Sequence, residues 1–146
     1  MLVFELDELR CAVDAGPVRE VLRAVAVRTI PGQPDFIAGV IDLRGTIVPL
    51  LDLRLRFGRS TRALSPSDTF IVVSIRSQLV ALWTDSVVDL VPLDIGAFTA
   101  REGLIVGTRS LSGVVRVAGD LVMIHDLGAF LSQAETDALA AVDTTS

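Results

Sequence analysis

The chain repeats itself, and nothing else in it limits the fold as strongly. "FIAGVIDLRGTIVPLLDLRLRFG", Phe36 to Gly58, returns 74 residues later as "SLSGVVRVAGDLVMIHDLGAFLS", Ser110 to Ser132, so that Gly39 falls on Gly113, Val40 on Val114, Gly45 on Gly119, Val48 on Val122 and Asp52 on Asp126. Upstream, an offset of 69 aligns Cys11 with Val80, Val13 with Leu82, Val18 with Val87 and Glu20 with Asp89. The five-residue difference predicts a longer loop in the second copy, within "PLDIGAFTAREGLIVGTRS", Pro92 to Ser110. A duplication of this kind predicts two similar units sharing one core rather than one undivided sheet.

Each copy reads as short strands. "LVFEL", "CAVDA", "VREVLRAVAV", "GVIDL" and "TIVPLL" are apolar and β-branched runs broken by turn formers, and each has a counterpart in the second copy. Gly45-Thr46 and Gly119-Asp120 lie between paired runs, where a tight hairpin needs a residue tolerant of positive φ. Asp52 and Asp126 are expected to cap short helical turns, with Arg54 and Arg56 facing solvent. "GRSTRALSPSD", Gly58 to Asp68, has the composition of a linker. These signals predict a first unit over about 10–65 and a second over about 69–131, with residues 1–9 open to strand exchange. A capping box at Ser132 and Glu135 predicts a C-terminal helix over about 132–143.

The chain is 51% hydrophobic with only 5% aromatic residues, which excludes a disordered chain and implies a large core or an apolar surface awaiting a partner. Its longest uncharged stretches, Ser77 to Thr84 and Leu127 to Ala134, fall far short of the roughly 20 residues a membrane helix needs. "MLVFELDE" lacks a basic region and a cleavage site, so the expected location is cytoplasmic. A net charge of −5 and few aromatics argue against a nucleic-acid-binding barrel. All 13 basic residues are arginine, which removes phosphate-loop and Schiff-base lysines together.

Enzyme chemistry finds little to stand on. His125 is the only histidine and occupies the place of Leu51 in the first copy, so it is expected to pack rather than to catalyse. Cys11, the only cysteine, lies in an apolar strand and is expected to be a buried, inert thiol. Trp83 is expected in the core. Glu20 and Arg44 are placed near one edge of the first unit, and two readings stand side by side: a structural ion pair, or an arginine fork held ready for a partner.

At these residues the sequence resembles the CheW family, adaptors of bacterial chemosensory systems. "FIAGVIDLRGTIVPLLDLRLRFG" is similar to the family's apolar Gly-Val-Ile, Asn-Leu-Arg-Gly, Ile-Val-Pro and Asp-Leu-Arg run ending in Phe-Gly, while "PVREVLRAV" resembles its Val-x-Glu-Val strand. "SVVDLVPLD" and "LSGVVRVAGDLVMIHDL" resemble its second half. The resemblance implies an all-β fold of two SH3-like five-stranded β-barrels packed around a shared hydrophobic core. It also implies a non-catalytic adaptor without cofactor or metal, bridging the regulatory domain of a CheA-type histidine kinase to the cytoplasmic tip of a chemoreceptor, with no nucleic-acid partner and no membrane insertion. By position, Val18, Glu20, Gly39, Asp42, Arg44 and Gly45 form the implied partner-binding set. Asp42 stands where the family usually has asparagine, which raises the alternative of a divergent paralogue binding only receptors or other adaptors. Self-association through exposed strand edges is left open.

Overall fold

A computed structural model describes residues 1–91, 111–117 and 119–131. The expected longer loop and the C-terminal helix over 132–143 lie outside the described residues. Among the described residues ten strands run in chain order: β1 (Leu2–Leu6), β2 (Leu9–Val13), β3 (Val18–Arg23), β4 (Ile37–Leu43), β5 (Thr46–Asp52), β6 (Thr69–Ile75), β7 (Gln78–Thr84), β8 (Ser86–Leu90), β9 (Leu111–Val117) and β10 (Asp120–His125). A one-turn helix, α1 (Leu53–Arg56), follows β5, and a 3-10 turn, Leu127–Ala129, follows β10. Both carry the expected caps: Asp52 Oδ1 accepts the Arg54 N–H at 3.1 Å, and Asp126 Oδ1 accepts the Gly128 N–H at 2.9 Å.

The strands form two five-stranded sheets, ordered β3-β6-β7-β5-β4 and β8-β1-β2-β10-β9. These are one topology used twice, and the register agrees residue for residue. Leu51 pairs with Leu82 across the parallel β5–β7 contact, as His125 pairs with Val13 across β10–β2. Ile71 pairs with Leu82 as Leu2 pairs with Val13.

Strand membership nonetheless departs from the expected boundaries. The hairpin β6–β7, residues 69–84, completes the sheet of β3–β5, and the whole hairpin β1–β2 completes the sheet of β8–β10. The two copies have exchanged their first hairpins. Because the equivalent strands present the same apolar pattern in the same register, either hairpin satisfies either ladder, and the pattern alone does not choose.

Both faces of the central strands are buried, which explains the high mean hydropathy of +0.59. On β6, Phe70 and Val72 enter a cluster with Ile41, Val48, Leu50, Ala81 and Trp83 within the first sheet. The alternate residues Ile71, Val73 and Ile75 meet Leu2, Phe4, Leu6, Cys11 and Val13 of the second sheet. A smaller cluster of Val3, Ala12, Val115, Val122 and Ile124 lies within the second sheet. The shared cluster joins the units, and each large side chain in it contributes on the order of 2 kcal/mol.

The first sheet curls until its outer strands approach each other. Beyond β3 the chain forms an antiparallel bridge to β4, with Arg28 and Val40 exchanging N–H···O bonds of 2.9 Å. Gly39, at φ +154°, lies beneath this crossing, and a Cβ there would fall 2.5 Å from the Arg28 carbonyl oxygen. Its glycine is required by that close approach.

Candidate functional site

The β4–β5 hairpin turns on Arg44 and Gly45, at φ +50° and +90°, one residue earlier than expected. Two successive positive φ values match the twist of the flanking strands and are the signature of a tight hairpin. Asp42 Oδ1 accepts the Gly45 N–H at 2.7 Å and pins the turn. Asp42 therefore does not hold Arg44; an asparagine oxygen could accept the same bond. Glu20 on β3 holds the arginine. Arg44 donates from Nη1 to Glu20 Oε1 at 2.9 Å and from Nη2 to Oε2 at 2.6 Å, a parallel fork between the outer strands of the curled sheet.

The Arg44 side chain remains 71% exposed against 30% for Glu20. Its hydrogen bond holds the Glu20 carboxyl below the usual carboxylate range, and Glu20 in turn raises the Arg44 guanidinium. The fork is fixed in place with most of its surface still available. Of the other expected site residues, Gly45 and Asp42 share this exposed corner, Val18 is half-buried against the shared core, and Gly39 is buried under Arg28. The expected set thus divides into a surface corner of Glu20, Asp42, Arg44 and Gly45, and two residues that shape the sheet behind it.

A cleft separates the outer strands β3 and β8. Val21, Leu22, Arg23, Ser67, Thr69, Ser86 and Val87 line it, enclosing about 400 Å³. Val21 is 42% exposed, and farther along β8 Val88 and Leu90 are 41% and 63% exposed, so apolar side chains face solvent on both strands.

Sequence reasoning missed a charge cluster at the junction of the two sheets. Arg54, expected at the surface, is fully buried. Its Nε donates to Asp7 Oδ1 at 2.9 Å, its Nη2 meets Asp85, and its guanidinium lies 5.5 Å from the centre of the Trp83 ring. Gly58 to Asp68 is correspondingly no free tether. Arg59 bonds Asp7 at 2.8 Å and Glu8 at 2.6 Å, Thr61 donates to Asp52, and Arg62 forks onto Asp68 at 2.7 and 3.0 Å. The Arg59 hydrogen bond, outweighing burial with help from Arg54, holds Asp7 below the usual range. Burial pushes Asp68 up, but its bonds from Arg62, the Ser65 N–H and Trp83 prevail and hold it low. The one visible signal was the density of arginines after Asp52; their carboxylates lie too far along the chain for spacing to reveal.

The residues weighed for chemistry are packed. His125 is 3% exposed, its ring stacks on Phe57 at 4.4 Å, and burial pushes its pKa down to about 4. Cys11 is buried and its thiol is pushed up to about 12, chiefly by desolvation. Trp83 lies in the core and donates Nε1–H to Asp68 at 2.9 Å. Among the described residues, no group of three or more His, Cys, Asp or Glu is placed to hold a metal, and no helix is long and apolar enough to cross a membrane.

A duplicated pair of β-sheets with a pre-set arginine fork at one corner and a cleft of mixed polar and apolar lining between outer strands is the architecture of a protein-interaction scaffold. Comparison with known proteins gives the family: a model described as the CheW-like domain matches residues 1–135. The chain is 29% identical over 136 residues to the chemotaxis protein CheW of Klebsiella aerogenes, covering 92% of this chain and 82% of that protein. It is 30% identical over 130 residues to protein FrzA of Myxococcus xanthus, covering 84% and 77%. Among solved structures, the scaffolding protein TtCheW from Thermoanaerobacter tengcongensis superposes with a TM-score of 0.82 at 30% identity, covering 92% of this chain and 94% of that one. The chain belongs to the CheW-like domain family, whose members are non-catalytic scaffolding and adaptor proteins.

Proposed function

We propose that this protein is a cytoplasmic adaptor that couples a chemoreceptor to a CheA-type histidine kinase in chemosensory signalling. The observation that carries the reading is the Arg44–Glu20 fork, bidentate at 2.9 and 2.6 Å yet exposed at its arginine. Such a pair has already lost its rotamer freedom, so a partner that hydrogen-bonds it gains affinity without ordering it. In this reading the corner of Glu20, Asp42, Arg44 and Gly45 receives the kinase regulatory domain. The cleft between β3 and β8, with Val21, Leu22 and Val87 among its lining residues, receives the helical hairpin of a receptor tip. The large shared core makes the two surfaces one stiff body, so a displacement of the receptor is passed on as a change in how the kinase is held.

Arg44→Glu reverses the charge at an exposed position and repels Glu20. Circular dichroism and the melting curve are expected to stay close to those of the parent, while pull-down of the kinase regulatory domain weakens about tenfold, or about 1.4 kcal/mol. Unchanged binding of both the kinase domain and the receptor tip, tested separately, would remove Arg44 from any interface.

A further inference from the structure

The β3–β8 cleft has walls from two sheets, and one side chain bonds them both. Asp68 belongs to the first wall: its carbonyl accepts the Ala24 N–H at 2.9 Å, extending the β3–β6 ladder. Its carboxylate is 3% exposed and is fixed by the Ser65 N–H at 2.8 Å and Trp83 Nε1 at 2.9 Å. Asp85 belongs to the second wall. Its N–H donates to the Glu5 carbonyl at 3.0 Å, and its Oδ2 accepts the Asp7 N–H at 2.7 Å. Arg62 Nη2 reaches both, at 2.7 Å to Asp68 Oδ1 and 2.7 Å to Asp85 Oδ1, while Nη1 adds a third bond of 3.0 Å to Asp68. The next residues along the chain, Thr69 and Ser86, line the cleft.

We propose that Arg62 is a positioning residue, a cross-brace that sets the separation of the β3 and β8 walls and thereby the affinity of the cleft for the helical hairpin of a receptor tip. Arg54 also bonds Asp7 and Asp85, but it does so from the buried interior and does not touch Asp68. Arg62 is 37% exposed, against 1% for Arg54, and its guanidinium lies 5.9 Å from the centre of the Trp83 ring. A planar fork suits this task because it can engage two carboxylates at once. The wall separation follows from these bonds alone, whereas the effect on affinity rests on the receptor reading above.

The two parts are tested separately on the full chain. Cysteines introduced at the exposed Val21 and Val88 carry spin labels on the two walls, while native Cys11 is buried. Double electron–electron resonance in Arg62→Gln should give a distance distribution shifted or about twofold broader than that of the parent. Arg59→Gln, which loses bonds to Asp7 and Glu8 but to neither Asp68 nor Asp85, should leave it unchanged. An unaltered distribution in Arg62→Gln overturns the proposal, and equal broadening in Arg59→Gln takes the role from Arg62. Circular dichroism should show both variants folded. In the binding arm, Arg62→Gln should weaken a receptor-tip helical hairpin about tenfold and leave the kinase regulatory domain unaffected. Undiminished hairpin binding overturns the affinity part. Should the parent bind no hairpin, the receptor reading falls, while the distance measurement still decides the role of Arg62.

Discussion

His125 and Leu51 occupy the same station in the two copies, and the difference between them makes stability depend on pH. The imidazole is packed against Phe57 near Phe130, and its pKa falls from 6.5 to about 4 by desolvation. An unfolded chain takes up that proton near pH 6.5, whereas the folded one does so only near 4, so the stabilisation is complete above 6.5 and is lost as pH falls through that window. The expected loss reaches about 3 kcal/mol, and His125→Leu should flatten the slope in denaturant titrations between those pH values. Asp7 and Asp68 act at lower pH. Both are held below the unfolded value of 3.8, so their contribution is present above it and disappears as acid protonates the folded carboxylates. A stability profile equally steep in His125→Leu would show that the imidazole is not the source.

At the scale of elements, the segment from α1 to β6 is a strap made of charges. Arg54, Arg59 and Arg62 themselves bond Asp7, Glu8, Asp68 and Asp85, drawing together the β1–β2 turn, the β7–β8 crossing and the start of β6. Arg54→Met keeps much of the side-chain volume but takes the buried cation from Asp7 and Asp85, which are left with only their outer partners Arg59 and Arg62. A loss of about 3 kcal/mol in unfolding free energy is expected, measured by urea titration. A change under about 1 kcal/mol would mean that water replaces the guanidinium at little cost. What could be read from the sequence follows the range of the interactions. The caps at Asp52 and Asp126 act over two residues and were legible, as were the glycine turns at Gly45 and Gly119. Arg54 was misread because its spacing from Arg56 is that of a solvated turn, and its acidic partners arrive from the β1–β2 turn and the β7–β8 crossing. The fork of Arg44 on Glu20 was half legible: the residues stood out by type, but only the curl of the first sheet explains their meeting.

For the whole molecule, the shared cluster and the exchanged hairpins make the units interdependent. Leu2, Phe4 and Val13 from one sheet pack with Ile71, Val73 and Leu82 from the other, and β1–β2 is anchored in a sheet whose remaining strands lie after residue 85. Unfolding is therefore expected to be a single cooperative event. Trp83 is the only tryptophan and no tyrosine is present, so its fluorescence reports the first sheet alone, while far-UV circular dichroism reports both. The two signals should give coincident denaturant transitions; separated midpoints would show units that melt independently. The duplication announced two units, yet it could not announce the exchange. Equal offsets relate β1–β2 to β6–β7 in pattern and register, so the alternation of apolar residues suits either hairpin to either sheet.

A cut anywhere between Gly58 and Asp68 divides the polypeptide into its two ancestral-looking stretches, but each piece then holds a ladder whose missing rungs travel with the other. Neither stretch is a portable part. What reads on paper as a pair of interchangeable twins behaves in solution as a single knot of mutual debts, inherited, folded and lost together.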